Sequence, residues 1–140
     1  MRKILFRGKQ VDNGEWVEGY LTRRPSAIQY GAHYSPWFID KPPSDPDDSG
    51  GFYNVDCETV GQFTGLTDRK GNRIFEGDIV KYDGDGIYRI GYVDGVYRLF
   101  NAKGRYSVSV HNNYSYLEVI GNIHDNPELL EIFEREDTKQ

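Results

Sequence analysis

The feature that most restricts this chain is the rhythm of turns between Ile79 and Ile123. Short runs of β-branched and aromatic residues are interrupted there, every few positions, by turn sequences. Ile87–Val93 and Val96–Phe100 are separated by Asp94-Gly95, the strongest short hairpin signal, because a two-residue turn favours residues that tolerate positive φ. Asn101-Ala102-Lys103-Gly104 is the next turn. Tyr106, Val108 and Val110 then alternate with Ser107 and Ser109, the period of a half-buried strand. Tyr116–Ile123 reads as the last strand. Five short strands joined by tight turns curl into a small SH3-like barrel or a strongly bent antiparallel meander, since closure hides sheet edges.

The rest of the chain agrees with a mainly β fold. Val, Ile, Tyr, Phe, Trp and Thr number 45 of the 140 residues, against 11 for Ala, Leu and Met, a balance that disfavours helices. An N-terminal β region is expected over 1–60. In it, residues 2–7 and Trp16–Thr22 form a hairpin across the turn at Asp12-Asn13-Gly14. Five of the six prolines fall between Pro25 and Pro46, and residues 40–51 carry no apolar side chain. That Pro/Asp-rich segment reads as a mobile loop. Asn54–Val60 reads as a further strand. The β-meander and a terminal helix occupy 62–133, with Asn126 as N-cap, Pro127 at the first helical position, and Leu129, Leu130, Ile132 and Phe133 as the apolar face. Residues 134–140 are expected to fray.

Several function classes lack their residues. The longest apolar run is too short to span a membrane, and the basic N-terminus is followed by too short an apolar stretch for a secretory signal. The single Cys57 excludes a disulfide framework and suits a reducing compartment. His33, His111 and His124 have no ligand spacing to one another, and no Gly-x-Ser-x-Gly elbow is present. Gly84-Asp85-Gly86 opens a dinucleotide-like pattern, but Arg89 stands at its last position and the turn reads as a hairpin. Asp45, Asp47 and Asp48 lie on a polar loop without the spacing of a calcium loop. Glu76 and Asp78 are the most enzyme-like pair, yet a turn at Gly77 with Asp78 accepting backbone N–H groups explains them better. No catalytic residue, cofactor or metal site is assigned.

Binding remains. A nucleic-acid surface needs a basic track with interleaved aromatics. Candidate contacts on the meander are Arg89, Arg98, Lys103, Arg105 and Tyr106, with Arg2, Lys3, Arg7 and Lys9 as a second basic group. The net charge of −5 opposes this globally, and residues 117–140 alone carry −5 while residues 1–24 carry +3. A protein partner is the preferred reading.

Four blocks resemble the YopX family of phage and prophage proteins: MRKILFRGKQVDNGEWVEGYL (1–21), QFTGLTDRKGNRIFEGDIVKY (62–82), IGYVDGVYRLF (90–100) and LEVIGNIHDNPELLEIF (117–133). The specific block is built on Thr64, Gly65, Leu66, Gly71, Ile74, Glu76, Gly77, Asp78, Ile79 and Val80, with Phe63 where Tyr is expected. The resemblance implies a single YopX-like domain over 1–140, a phage or prophage origin, a place in the bacterial host cytoplasm and self-association. It implies no reaction. The function so read is that of an accessory protein that binds a host or phage protein, or itself, with nucleic-acid binding as the alternative.

Overall fold

A computed structural model describes residues 3–24 and 35–131. The chain is mainly β and divides into two compact units, Met1–Phe63 and Thr64–Gln140.

In the first unit the strands β1 (Phe6–Lys9), β2 (Trp16–Arg23), β3 (Trp37–Lys41), β4 (Gly51–Asn54) and the start of β5 (Gly61–Thr67) lie in the order β4-β3-β2-β1-β5. The expected hairpin is β1–β2, with Lys9 opposite Trp16, closed by the Gln10–Glu15 hydrogen bond and by Gly14 at φ 70°. Its first strand begins at Phe6, later than residue 2. The Pro-rich sequence carries no signal for β3, whose Asp40 and Lys41, together with Gly51 of β4, take the two ends of the segment read as a loop over 40–51. Phe38 and Ile39 are buried, and β3 pairs with both β2 and β4, so tertiary pairing overrides the flanking prolines. The strand expected at Asn54–Val60 ends at its first residue. Asp56 accepts the Glu58 N–H and turns Cys57–Thr59 into a 3-10 segment, leaving Val55 in a lone bridge to Gln10. Between β3 and β4, Asp48 accepts from Ser44 and from the Gly50 N–H, while Asp45 accepts from the N–H groups of Asp47 and Asp48. The core of this unit is Val17, Ile39 and Val55, flanked by Phe6, Leu21, Trp37, Tyr53 and Val60.

In the second unit the end of β5 neighbours β6 (Arg73–Phe75). Five further strands form an antiparallel sheet: β7 (Asp78–Tyr82), β8 (Gly86–Val93), β9 (Val96–Phe100), β10 (Tyr106–Ser109) and β11 (Leu117–Asn122), in the order β10-β9-β8-β7-β11. The Asp94-Gly95 hairpin is present, with Val93 opposite Val96 and both turn residues at positive φ. The core consists of Ile74, Val80, Ile90, Leu99, Val110 and Leu117, rimmed by Leu66, Tyr82, Tyr88, Tyr97 and Val119.

Two expectations for this unit need correcting. The alternation Tyr106-Val108-Val110 does not bury one face. Tyr106 is 53% and Val108 43% exposed, while Val110 is fully buried. The cause is a register shift between Tyr106 and Ser109, where one extra residue breaks the period of two. Asn126 also acts differently. Its backbone carbonyl accepts from the Leu129 N–H as a cap would, but its side chain reaches back to the Asn122 N–H. The helix starts at Glu128 and is described to Glu131. Ile132, Phe133, the segment 134–140, Arg2 and His33 lie outside the described residues. Among those described, no helix is long and apolar enough to cross a membrane.

Candidate functional site

The ten motif residues of the second unit build its frame. Thr64 donates its hydroxyl to the Ile74 carbonyl and accepts the Leu66 N–H. Ile74, Ile79 and Val80 are fully buried. Gly77 sits at φ 91°, which a side chain would strain; its N–H donates to Ile90 and its carbonyl accepts from Ile123. Asp78 is buried and accepts the Phe75 N–H at 2.7 Å, so its carboxylate acts as a backbone acceptor beside the Glu76-Gly77 turn.

Asp68, between the motif glycines, carries no signal in the sequence beyond that of a turn residue. It is 5% exposed and accepts backbone N–H groups from Lys70 at 2.9 Å, Asn72 at 2.8 Å and Val119 at 2.9 Å. Burial by itself raises its pKa, but the Val119, Asn72 and Lys70 donors outweigh burial and hold the carboxyl below the ordinary value. The Arg69 N–H also donates to the Leu117 carbonyl. Lys70 and Arg69 both bind Glu118, whose pKa they lower to about 2. This turn therefore lies along the outer side of β11 and occupies backbone groups that a further strand would need.

The opposite end of the sheet carries the candidate site. Strand register places Arg89 opposite Phe100, Phe100 opposite Tyr106, and Gly91 opposite Arg98. Side chains two apart share a face, so these residues lie together on one side, next to the fully buried Ile79 opposite Arg89, while Ile90 and Leu99 turn to the core on the other side. Gly91 makes the arrangement possible, because a Cβ there would lie 2.5 Å from Phe100 Cε2. Phe100 fills that space and is 9% exposed. The Arg89 guanidinium stands 4.4 Å from the centre of the Phe100 ring. Phe100 and Tyr106 are 5.5 Å apart, and the Arg98 guanidinium is 5.7 Å from the Tyr106 ring. Arg98 also donates to the Ser107 carbonyl at 2.9 Å. The result is an Arg–Phe–Tyr–Arg row across three strands.

The turn between β9 and β10 adds two cations. Asn101 Oδ1 accepts the N–H groups of Lys103 and Arg105, and Gly104 at φ 79° lets the chain reverse. Lys103 and Arg105 are exposed. All five candidate contacts thus fall on β8, β9, β10 and one turn. Residue type alone does not single out Phe100 and Gly91, although the Asp94-Gly95 turn fixes Arg89 opposite Phe100 and Gly91 opposite Arg98. In the second basic group, Arg7 lies 4.8 Å and Lys9 5.7 Å from the Trp16 ring.

The crystal structure of protein EF1440 from Enterococcus faecalis is similar, with a TM-score of 0.53 and 25% identity over 93% of this chain and 99% of that one. No curated protein matches the chain. The model of the family described as YopX protein matches residues 5–131, and the chain belongs to that family.

Proposed function

We propose that this chain is a phage or prophage accessory protein that acts in the bacterial cytoplasm by binding proteins, a second copy of itself first among them, and not by catalysis. The observation that carries the reading is the contrast between the two edges of the five-stranded sheet. The β11 edge is occupied by the Asp68 turn, through the Arg69–Leu117 and Asp68–Val119 hydrogen bonds. The β10 edge has no neighbouring strand among the described residues, and Tyr106, Ser107 and Val108 are all exposed along it. Exposed edges invite strand addition unless charge, proline, a bulge or a cover blocks them. Strand β10 carries no charge and no proline; its bulge, and the bonds from Arg98 to the Ser107 carbonyl and from Asn113 to the Ser109 carbonyl, limit a second chain to the backbone groups that remain.

Light scattering across micromolar concentrations tests the proposal. The wild type should give a multiple of 16.1 kDa, and Val108→Lys should shift the mass toward one chain. Val108 is exposed, so the substitution should change stability by no more than about 0.5 kcal/mol. A wild type at the mass of a single chain throughout the range would sink the reading.

A further inference from the structure

We infer that the face formed by Arg89, Phe100, Tyr106 and Arg98, with Lys103 and Arg105 on the adjoining turn, binds single-stranded nucleic acid. The inference differs from self-association in resting on side chains of one face of the sheet and not on backbone groups of an edge, with Tyr106 of β10 bordering both.

Charge is the first ground. The chain has a net charge of −5, yet residues 86–113 hold Arg89, Arg98, Lys103 and Arg105 against Asp94 alone, a local net charge of +3. Strand pairing sets Arg89 of β8 and Arg98 of β9 one residue pair apart, and the turn that follows β9 carries Lys103 and Arg105. A local patch of this kind attracts phosphate even on an acidic protein.

Preorganisation is the second ground. Guanidinium groups stacked on rings are held in place before a ligand arrives. Arg89 rests on Phe100, and Arg98 is fixed both by the Tyr106 ring and by the Ser107 carbonyl, which uses one of its five N–H donors. Stacking surface is the third ground. Tyr106 is half exposed between Phe100 and Arg98, and an aromatic ring beside cations is the platform on which unpaired bases stack without sequence preference. An acidic protein surface would use the cations but not the ring, and a duplex hides its base faces. Single strands use both features.

The test is fluorescence anisotropy with a labelled oligothymidine of about 12 nucleotides, a length within the usual site size for such surfaces. A duplex of equal length and a polyglutamate peptide serve as competitors. The wild type should bind the oligothymidine with affinity that falls steeply with salt, and neither competitor should displace it at equal concentration. Lys103→Gln with Arg105→Gln leaves the Asn101-capped backbone intact and should flatten the salt slope by about 1.4, or about 0.7 for each phosphate no longer neutralised. Tyr106→Ala should weaken binding about 5- to 140-fold, whereas Tyr106→Phe should keep it. Wild-type protein that does not bind at about 50 mM salt would overturn the inference. So would equal competition by duplex or polyglutamate, or unchanged binding in both the double variant and Tyr106→Ala.

Discussion

Replacing Asp68 by Ala removes the acceptor that ties the turn at residues 68–72 to β11. Three backbone donors lose their partner: Lys70, Asn72 and Val119. The Lys70 and Asn72 groups belong to exposed residues, so water replaces the carboxylate there and each loss costs about 0.5 kcal/mol, the low end for a hydrogen bond. Val119 is half buried in a strand, and its charge-assisted bond is worth about 1.5–3 kcal/mol. The expected loss is therefore about 3 kcal/mol, read from urea denaturation followed by tyrosine fluorescence. Asp68→Asn is the informative companion. It can keep the oxygen that faces Lys70 and Asn72, but it places an amide donor or a weaker acceptor against Val119, and should lose about 2 kcal/mol. The pH dependence has a defined sign. The folded-state pKa of Asp68 lies below its ordinary value, so its contribution is present above that ordinary value and fades as pH falls through the folded one. The alanine variant should lack this component of the acid transition. A stability within about 0.5 kcal/mol of wild type in Asp68→Ala would refute the assignment of this carboxylate as the closure of the β11 edge.

Gly91→Ala should destabilise the chain by about 1–2 kcal/mol in the same denaturation assay, because the new methyl group meets the Phe100 ring at 2.5–2.6 Å. The lower chain entropy of Ala in the unfolded state offsets about 0.4–1 kcal/mol, and a net gain in stability would show that Phe100 moves aside freely. Glu118 is held near pKa 2 by Lys70 and Arg69, so its ion pairs help the folded state above the ordinary carboxylate range and lose effect as pH falls toward 2. Glu118→Gln should flatten that part of the stability–pH curve, most clearly at low salt. An identical acid profile would show that these ion pairs add nothing to stability.

The parts of this fold that follow from local chemistry were legible. Asp94-Gly95 announces its hairpin and fixes its register, and Asp12-Asn13-Gly14 announces the first one. What escaped depends on distant partners. Trp37–Lys41 lies between prolines and becomes a strand because β2 and β4 flank it. The bulge that exposes both Tyr106 and Val108 has no signature in an alternating sequence. The candidate site shows the same division. Its cations and Tyr106 could be named from residue type and proximity. Phe100, the ring under Arg89, and Gly91, the space that admits it, become part of the site only when cross-strand register is followed. Asp68 read as an ordinary turn residue because its third backbone partner, Val119, is 51 positions away.

Amide hydrogen exchange at low and high protein concentration tests self-association through β10 most directly, since it reports on both sheet edges in one experiment. Amides of Tyr106–Ser109 should exchange more slowly as concentration rises from about 1 to about 100 μM, because a second chain covers the β10 edge. Amides of Leu117–Val119 should be unaffected, their outer groups being held already by the Asp68 turn, as should that of Asn122, which donates to Asn126. Protection at β10 that does not change with concentration, or protection that grows at β11 instead, would contradict it.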